Sequence, residues 1–261
     1  MNPQVKSAVR VLDLLEILST AERGLTLVEI STLLEAPKSS ALMLLRTLVD
    51  RAYAERDEFD RYRINPALKF NEIGWIGGAM ALLVRQALPV MRKLTDNLRE
   101  TSILATLTSD GHVRLLTKIV SQRDIRYDAD LTRLHPAHRT ASGRVQLAYM
   151  PPERIESHIA AWSGGDIPER LRVDGERLRR DLEVVREAGV ALNIDQWVAG
   201  ATGVAAPVFN REGRVVAAVT VAAVTARFIG DQDEIVEATK DAASALSREH
   251  AGHHCEASRK K

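Results

Sequence analysis

Between Thr26 and Ile64 the chain writes out a helix, a tight turn, a second helix and two short strands, and that order leaves few folds open. Thr26 and Glu29 stand at the Ser/Thr-x-x-Glu spacing of a capping box, so a helix starts there and runs through Leu34. Glu35-Ala36-Pro37 is the turn. Proline suits the first position of the next helix, where its missing N–H costs nothing, and that helix reaches about Arg51. Tyr53–Arg56 and Arg61–Ile64 read as strands around a polar turn, Asp57 to Asp60. Val5, Val9, Leu12 and Leu15 recur at spacings of four, three and three, which predicts an amphipathic helix ending near Ser19. Asn65-Pro66 closes the unit, because proline excludes helix just before it. Three helices and a hairpin of this size make a winged helix-turn-helix, a shape that presents one helix to the major groove of duplex DNA.

Within that second helix, Leu44, Leu45, Leu48 and Val49 should face the core. Lys38, Ser39, Ser40, Thr47 and Arg51 are then left outside. Serines at a helix N-terminus are good phosphate ligands, and Lys38 can reach a phosphate or a guanine edge. In the hairpin, Arg56, Arg61 and Arg63 can grip flanking backbone or the minor groove. The charge balance limits this reading. Formal net charge is only +1 for the whole chain, and residues 1–70 hold ten basic and ten acidic side chains. Only residues 37–51 carry a local excess, three basic against one acidic. A module of this kind should hold a single site weakly and need two or more copies. The residue pattern alone also fits a small unit used for protein contacts.

At 261 residues the chain has room for two domains. Residues 1–70 form the first and 71–90 a linker helix, with Gly74, Gly77 and Gly78 lowering helix propensity there. Residues 91–249 form the second domain, and the polar stretch 250–261 is expected to be a disordered tail. In the second domain Ser102–Thr108, Val113–Ile119, Val190–Ile194, Val204–Phe209 and Val215–Val224 read as strands. Ala141–Met150, Pro152–Ala160, Asp174–Ala188 and residues 231–248 read as helices. The class is α+β with a mainly antiparallel sheet. The charge-free run Ile73–Val84 has 12 residues, too few to span a bilayer. A single cysteine, Cys255, gives no disulfide framework, and no signal-peptide pattern is visible, so the expected location is the cytoplasm.

Enzymatic chemistry has little support. Neither Gly-x-Ser-x-Gly nor Gly-x-x-x-x-Gly-Lys occurs. His135 and His138, or His253, His254 and Cys255, could in principle touch a metal, but the first pair has no third ligand nearby. No cofactor and no metal are expected.

Three stretches resemble the IclR family of bacterial transcriptional regulators. The first is Pro37-Lys38-Ser39-Ser40 with Leu44-Leu45-Arg46-Thr47-Leu48, then Arg61-Tyr62-Arg63-Ile64. The second is His138-Arg139-Thr140-Ala141-Ser142-Gly143-Arg144, similar to the family's His-Ala-Thr-Ala-x-Gly-Lys loop. The third is Gly203-Val204-Ala205-Ala206-Pro207-Val208-Phe209, followed by Gly213-Arg214-Val215-Val216. The resemblance covers residues 5–70 and 130–228. It implies an N-terminal winged helix, a linker helix and a C-terminal GAF-like α/β effector domain. It also implies homodimers or homotetramers, near-palindromic operators and small organic acids, often aromatic, as effectors.

Carried over by motif, the effector site would involve Thr140, Ala141, Ser142, Asn193, Gly203, Thr220 and Ala222. Backbone N–H groups of Ala141 to Gly143 offer a carboxylate site, though helix capping alone would also explain Thr140 and Ser142. Asn193 stands where some members have an acid, Gly203 where some have cysteine, and Ala222 replaces a serine. Fewer polar groups favour a larger, flatter, benzoate-like acid over glyoxylate. Trp162 and Trp197 are candidates for a lid or an interface. Leu42-Met43 replaces a more polar pair in mid-helix: either residue could touch a thymine methyl, or both could pack on a neighbouring helix. The expectation is a ligand-responsive, DNA-binding regulator of a catabolic operon, a repressor or an activator, and not an enzyme. Two alternatives stay open, a ligand-binding metabolic enzyme and an adaptor whose N-terminal domain makes protein contacts.

Overall fold

The computed structural model describes residues 5–21, 23–51, 53–65 and 78–258. It divides into two compact units between residues 82 and 83.

The N-terminal unit contains α1 (Lys6–Thr20), β1 (Leu25–Thr26), α2 (Leu27–Leu33), α3 (Lys38–Asp50), β2 (Ala54–Arg56) and β3 (Arg61–Ile64). The capping box forms in full: Thr26 Oγ1 accepts from the Glu29 N–H at 3.3 Å, and Glu29 Oε2 accepts from the Thr26 N–H at 2.7 Å. Hydrogen bonding by Thr26 holds the Glu29 carboxyl below its ordinary pKa. The wing turns without glycine because Asp60 takes a positive φ of 58°, which a short polar side chain tolerates. Asp57 Oδ1 fixes that turn by accepting from the N–H groups of Phe59 and Arg61. A third strand, β1, pairs with β3 and was not foreseen, since two residues are too short to show a period. Leu14, Leu18, Ile30, Leu45 and Ile64 meet in the core, each at most 1% exposed.

The C-terminal unit opens within α4 (Gly78–Leu98). Of the expected linker, residues 71–77, including Gly74 and Gly77, lie outside the described residues. There follow β4 (Thr101–Leu107), β5 (His112–Ile119), β6 (His135–Pro136), α5 (Ala141–Leu147), α6 (Pro152–Ser163) and α7 (Gly175–Ala188). The chain then forms β7 (Ala191–Ile194), β8 (Ala201–Phe209), β9 (Val215–Val224), the short α8 (Thr225–Phe228) and α9 (Gln232–Ser258). The sheet runs β6-β5-β4-β9-β8-β7, with every described pairing antiparallel. Side chains alternate across it. Helix α5 covers the face that carries Ala205, Ala218 and Ala222, and α9 also packs on β8 and β9. A bond from the Phe209 N–H to Ser247 Oγ ties α9 down.

One expectation needs correcting. The stretch 250–258 continues α9 as helix and is not a disordered tail. At its start His250 is 5% exposed and its ring bonds Gln86 Oε1 of α4 at 3.0 Å. Residues 259–261 lie outside the described set. Among the described residues no helix is long and apolar enough to cross a membrane.

Candidate nucleic-acid interface and ligand cavity

Helix α3 buries Ala41, Leu45 and Leu48 and turns its other faces outward. Lys38, Ser39, Met43, Thr47 and Arg51 are exposed, and Ser40 is half-buried. Leu42 and Met43 separate: Leu42 lies half-buried in a groove with Leu27, Val49 and Tyr62, whereas Met43 is 68% exposed. Arg46 is exposed on this helix too and was missed as a candidate. It lies three residues beyond Met43, the spacing that places two side chains on one helical face, so the periodicity could have found it.

The wing arginines are less free than the sequence suggested. Arg56 pairs with Asp60 at 2.6 Å, and Arg63 with Glu55 at 3.0 Å. Arg61 is half-buried and donates to the Gly24 carbonyl at 3.1 Å, so it braces β3 against the loop before β1. By contrast, Lys38, Arg46 and Arg51 have no acidic partner among the described residues.

In the C-terminal unit the sheet register explains why distant motif residues meet. Gly203 of β8 lies opposite Asn193 on one side and Ala222 on the other, and Thr220 lies opposite Ile103. These rows are two residues apart along β9 and therefore share a face. The small side chains of Gly203 and Ala222 leave a hollow in that face, and the start of α5 lies over it: a Cβ built on Gly203 would sit 3.5 Å from Ala141 Cβ. The resulting cavity holds about 570 Å³ of empty space, its open mouth included. All seven motif-derived residues, Thr140, Ala141, Ser142, Asn193, Gly203, Thr220 and Ala222, line it. So do Ile103, Leu115, Tyr127, Ala129, His135 and Trp197, which the motif did not supply. No lysine or arginine does.

The polar groups divide by role. Thr140 caps α5, its Oγ1 accepting from the Gly143 N–H at 3.1 Å. The N–H groups of Ala141 and Ser142, in the first turn, have no intrahelical acceptor. Asn193 shapes the wall: its Nδ2 donates to the Arg139 carbonyl at 2.6 Å, and its Oδ1 accepts from the Trp197 N–H at 3.2 Å. Two side-chain atoms shielded from solvent lack a partner, Thr220 Oγ1 and His135 Nδ1. Burial, reinforced by the Arg133 charge, lowers the His135 pKa, so its ring is neutral at pH 7. Trp197 borders the cavity edge-on to His135, with the Arg133 guanidinium 6.0 Å from its ring centre. Trp162 lies elsewhere, among His112, His138 and His158. Among the described residues no three His, Cys, Asp or Glu side chains group as metal ligands; the side chains of His253, His254 and Cys255 fall outside that set.

Known proteins agree with this division. Residues 7–58 match the IclR helix-turn-helix domain, and residues 80–248 match the C-terminal domain of bacterial IclR transcriptional regulators. The transcriptional regulator KdgR of Escherichia coli K12 is 29% identical over 252 residues, which cover 96% of this chain and 94% of that protein. KipR of Bacillus subtilis is 27% identical over 250 residues, covering 95% and 98%. An IclR homologue from Microbacterium hydrocarbonoxydans, solved with 4-hydroxybenzoate, superposes with a TM-score of 0.59 at 25% identity, covering 93% of this chain and 98% of its own. The IclR of Thermotoga maritima shares the fold at a TM-score of 0.59 and 19% identity, covering 95% and 100%. A DNA-binding helix-turn-helix followed by an effector domain thus accounts for nearly the whole chain, which belongs to the IclR family of bacterial transcriptional regulators.

Proposed function

We propose that the cavity binds a small aromatic acid, and that this ligand controls binding of the winged helices to a near-palindromic operator of a catabolic operon in the cytoplasm. The observation that carries the ligand reading is the cavity's chemistry. Its lining is mostly apolar and includes two aromatic side chains, with a few polar groups around a hollow framed by Gly203 and Ala222. An aromatic ring gains from burying apolar area, and a carboxylate can take the N–H groups of Ala141 and Ser142. A ligand group would also give Thr220 or His135 the partner each lacks. The Microbacterium homologue bound to 4-hydroxybenzoate supports the same ligand class.

On the DNA side, Lys38, Ser39, Ser40, Met43, Thr47 and Arg51 contact the operator through α3, with Arg46 beside them. Leu42 lies at the edge of that face, and Arg56, Arg61 and Arg63 flank it. Two copies per operator, in a homodimer or homotetramer, supply the affinity that one copy lacks. A route for the signal lies in α4. Ile103 lines the cavity, and its neighbour Ser102 donates to the Met91 carbonyl of α4 at 3.1 Å and bonds Thr95 at 2.8 Å. The ligand shifts operator affinity only by as much as it distinguishes the two arrangements of α4.

The test is calorimetric titration of the full chain with benzoate, 4-hydroxybenzoate, glyoxylate and pyruvate, followed by gel shifts on the DNA upstream of its own gene with and without the best ligand. Tighter binding of an aromatic acid and a ligand-dependent shift support the reading. Preference for glyoxylate or pyruvate overturns the ligand class.

A further inference from the structure

Beside the cavity, and sharing none of its lining residues, runs a groove bordered by Arg139, Arg144 and Arg177 together with Asp174 and Asp181. Arg144 is the unusual member. It is only 8% exposed, yet its guanidinium bonds a neutral acceptor, Gln196 Oε1 at 2.6 Å, and its Nε has no partner. Arg139 repeats the pattern: Nη2 donates to the Gln196 carbonyl at 3.0 Å and Nε is unpartnered. The carboxylates resolve this only in part, because neither bonds Arg144 or Arg139. Asp174 caps α7 by accepting from the Arg177 N–H at 3.0 Å, and Asp181 stands 3.9 Å from Arg177 Nε. A fourth arginine, Arg172, spends its donors on the carbonyls of Ile167 and Gly165. The Asp181 charge acts on Arg144 through space but makes no ion pair with it. A buried guanidinium with no carboxylate in bonding contact remains costly, and an arriving anion relieves that cost.

We propose that this groove is an anion site, separate from the aromatic cavity, which takes the carboxylate or phosphate group of a small metabolite on Arg144, Arg139 and Arg177. Planar guanidinium forks suit either oxyanion. The anion competes with both oxygens of Gln196. Gln196 precedes Trp197, which borders the cavity, so occupancy of the groove loosens the 195–200 loop from one side. The anion site does not depend on which ligand the cavity takes.

The experiment titrates full-length protein by calorimetry with inorganic phosphate and, separately, with acetate, at ionic strength held constant with chloride. Saturable binding of one anion per chain is expected. Phosphate binding alone identifies a phosphorylated ligand and acetate binding alone a carboxylated one; either outcome supports the site. Arg144→Gln should weaken binding by about tenfold, the loss of one charge-assisted contact. Arg177→Gln, whose side chain is 70% exposed and safe for folding, should weaken it severalfold. The proposal is overturned if neither anion saturates, or if Arg177→Gln and any folded Arg144→Gln protein bind like wild type.

Discussion

Thr220→Val separates the cavity's stability from its binding, because it should move the two in opposite directions. Thr220 is 7% exposed, and its hydroxyl is both shielded from solvent and without a partner. Leaving such a group unsatisfied costs about 1–3 kcal/mol. Valine keeps the branched shape and the β-strand preference, so neither a cavity nor strain is introduced. The unliganded protein should therefore gain about 1–2 kcal/mol, the lower part of that range. For a unit of this size each kcal/mol moves Tm by about 2–4 °C. The same change removes a hydrogen-bonding group from the ligand's surroundings, which lowers affinity for an aromatic acid by about 0.5–1.5 kcal/mol, or roughly two- to tenfold. Differential scanning calorimetry reads the first effect and ligand titration the second. A variant that melts below wild type would show that Thr220 Oγ1 has a partner. A variant that is stabilised yet binds normally would remove Thr220 from the ligand's contacts.

Three further outcomes follow from the geometry. Thr26→Ala removes the capping-box acceptor and should cost the N-terminal unit about 1 kcal/mol in chemical denaturation near neutral pH. Since Thr26 depresses the Glu29 pKa, this part of the stability is present above the ordinary carboxylate range and fades as pH falls through the lowered value. The gap between variant and wild type should therefore narrow in acid. Arg46→Ala should weaken operator binding across sequences and flatten the salt dependence by about one unit of log–log slope, whereas Arg63→Ala, already paired with Glu55, should change the slope less. His138 and His158, buried and bonded ring to ring at 3.1 Å, are each pushed down by burial to a pKa of about 4. The folded state then binds fewer protons than the unfolded chain between about pH 6.5 and 4, so stability should fall by a few kcal/mol across that window. Thermal melts at pH 7 and pH 4.5 check this, and a His158→Phe protein whose melting is equally pH-dependent would refute the assignment.

Regular structure was legible where local chemistry sets it. The capping box at Thr26, Pro37 before α3, and the Asp174 cap and Gly189 stop of α7 each mark an element end by a mechanism that acts within a few residues. The cavity's motif residues were legible only as a set, because the register that joins Asn193, Gly203 and Ala222 is a property of three paired strands. His135 escaped as a cavity residue for the same reason, and Trp197 was legible only as a candidate for a lid or an interface. His135 lies in a two-residue strand and Trp197 in a loop, and neither leaves a periodic signal. The helical continuation of α9 was invisible because its polar composition carries no apolar period.

The charge count shows most clearly what a sum over sequence conceals. Ten basic and ten acidic side chains in residues 1–70 suggest a surface with no field. The fold pairs them unevenly. Arg23 with Glu29, Arg56 with Asp60 and Arg63 with Glu55 cancel locally, and Arg61 is turned onto a backbone carbonyl. What remains on α3 is Lys38, Arg46 and Arg51 against Asp50 alone, next to exposed Ser39. The positive potential is therefore concentrated on the helix that would enter the groove, while the wing is close to neutral. Three phosphate contacts give a log–log salt slope of about −2.7 for one copy. Two copies on one operator double that slope, so its measured value counts how many α3 helices hold the DNA at once.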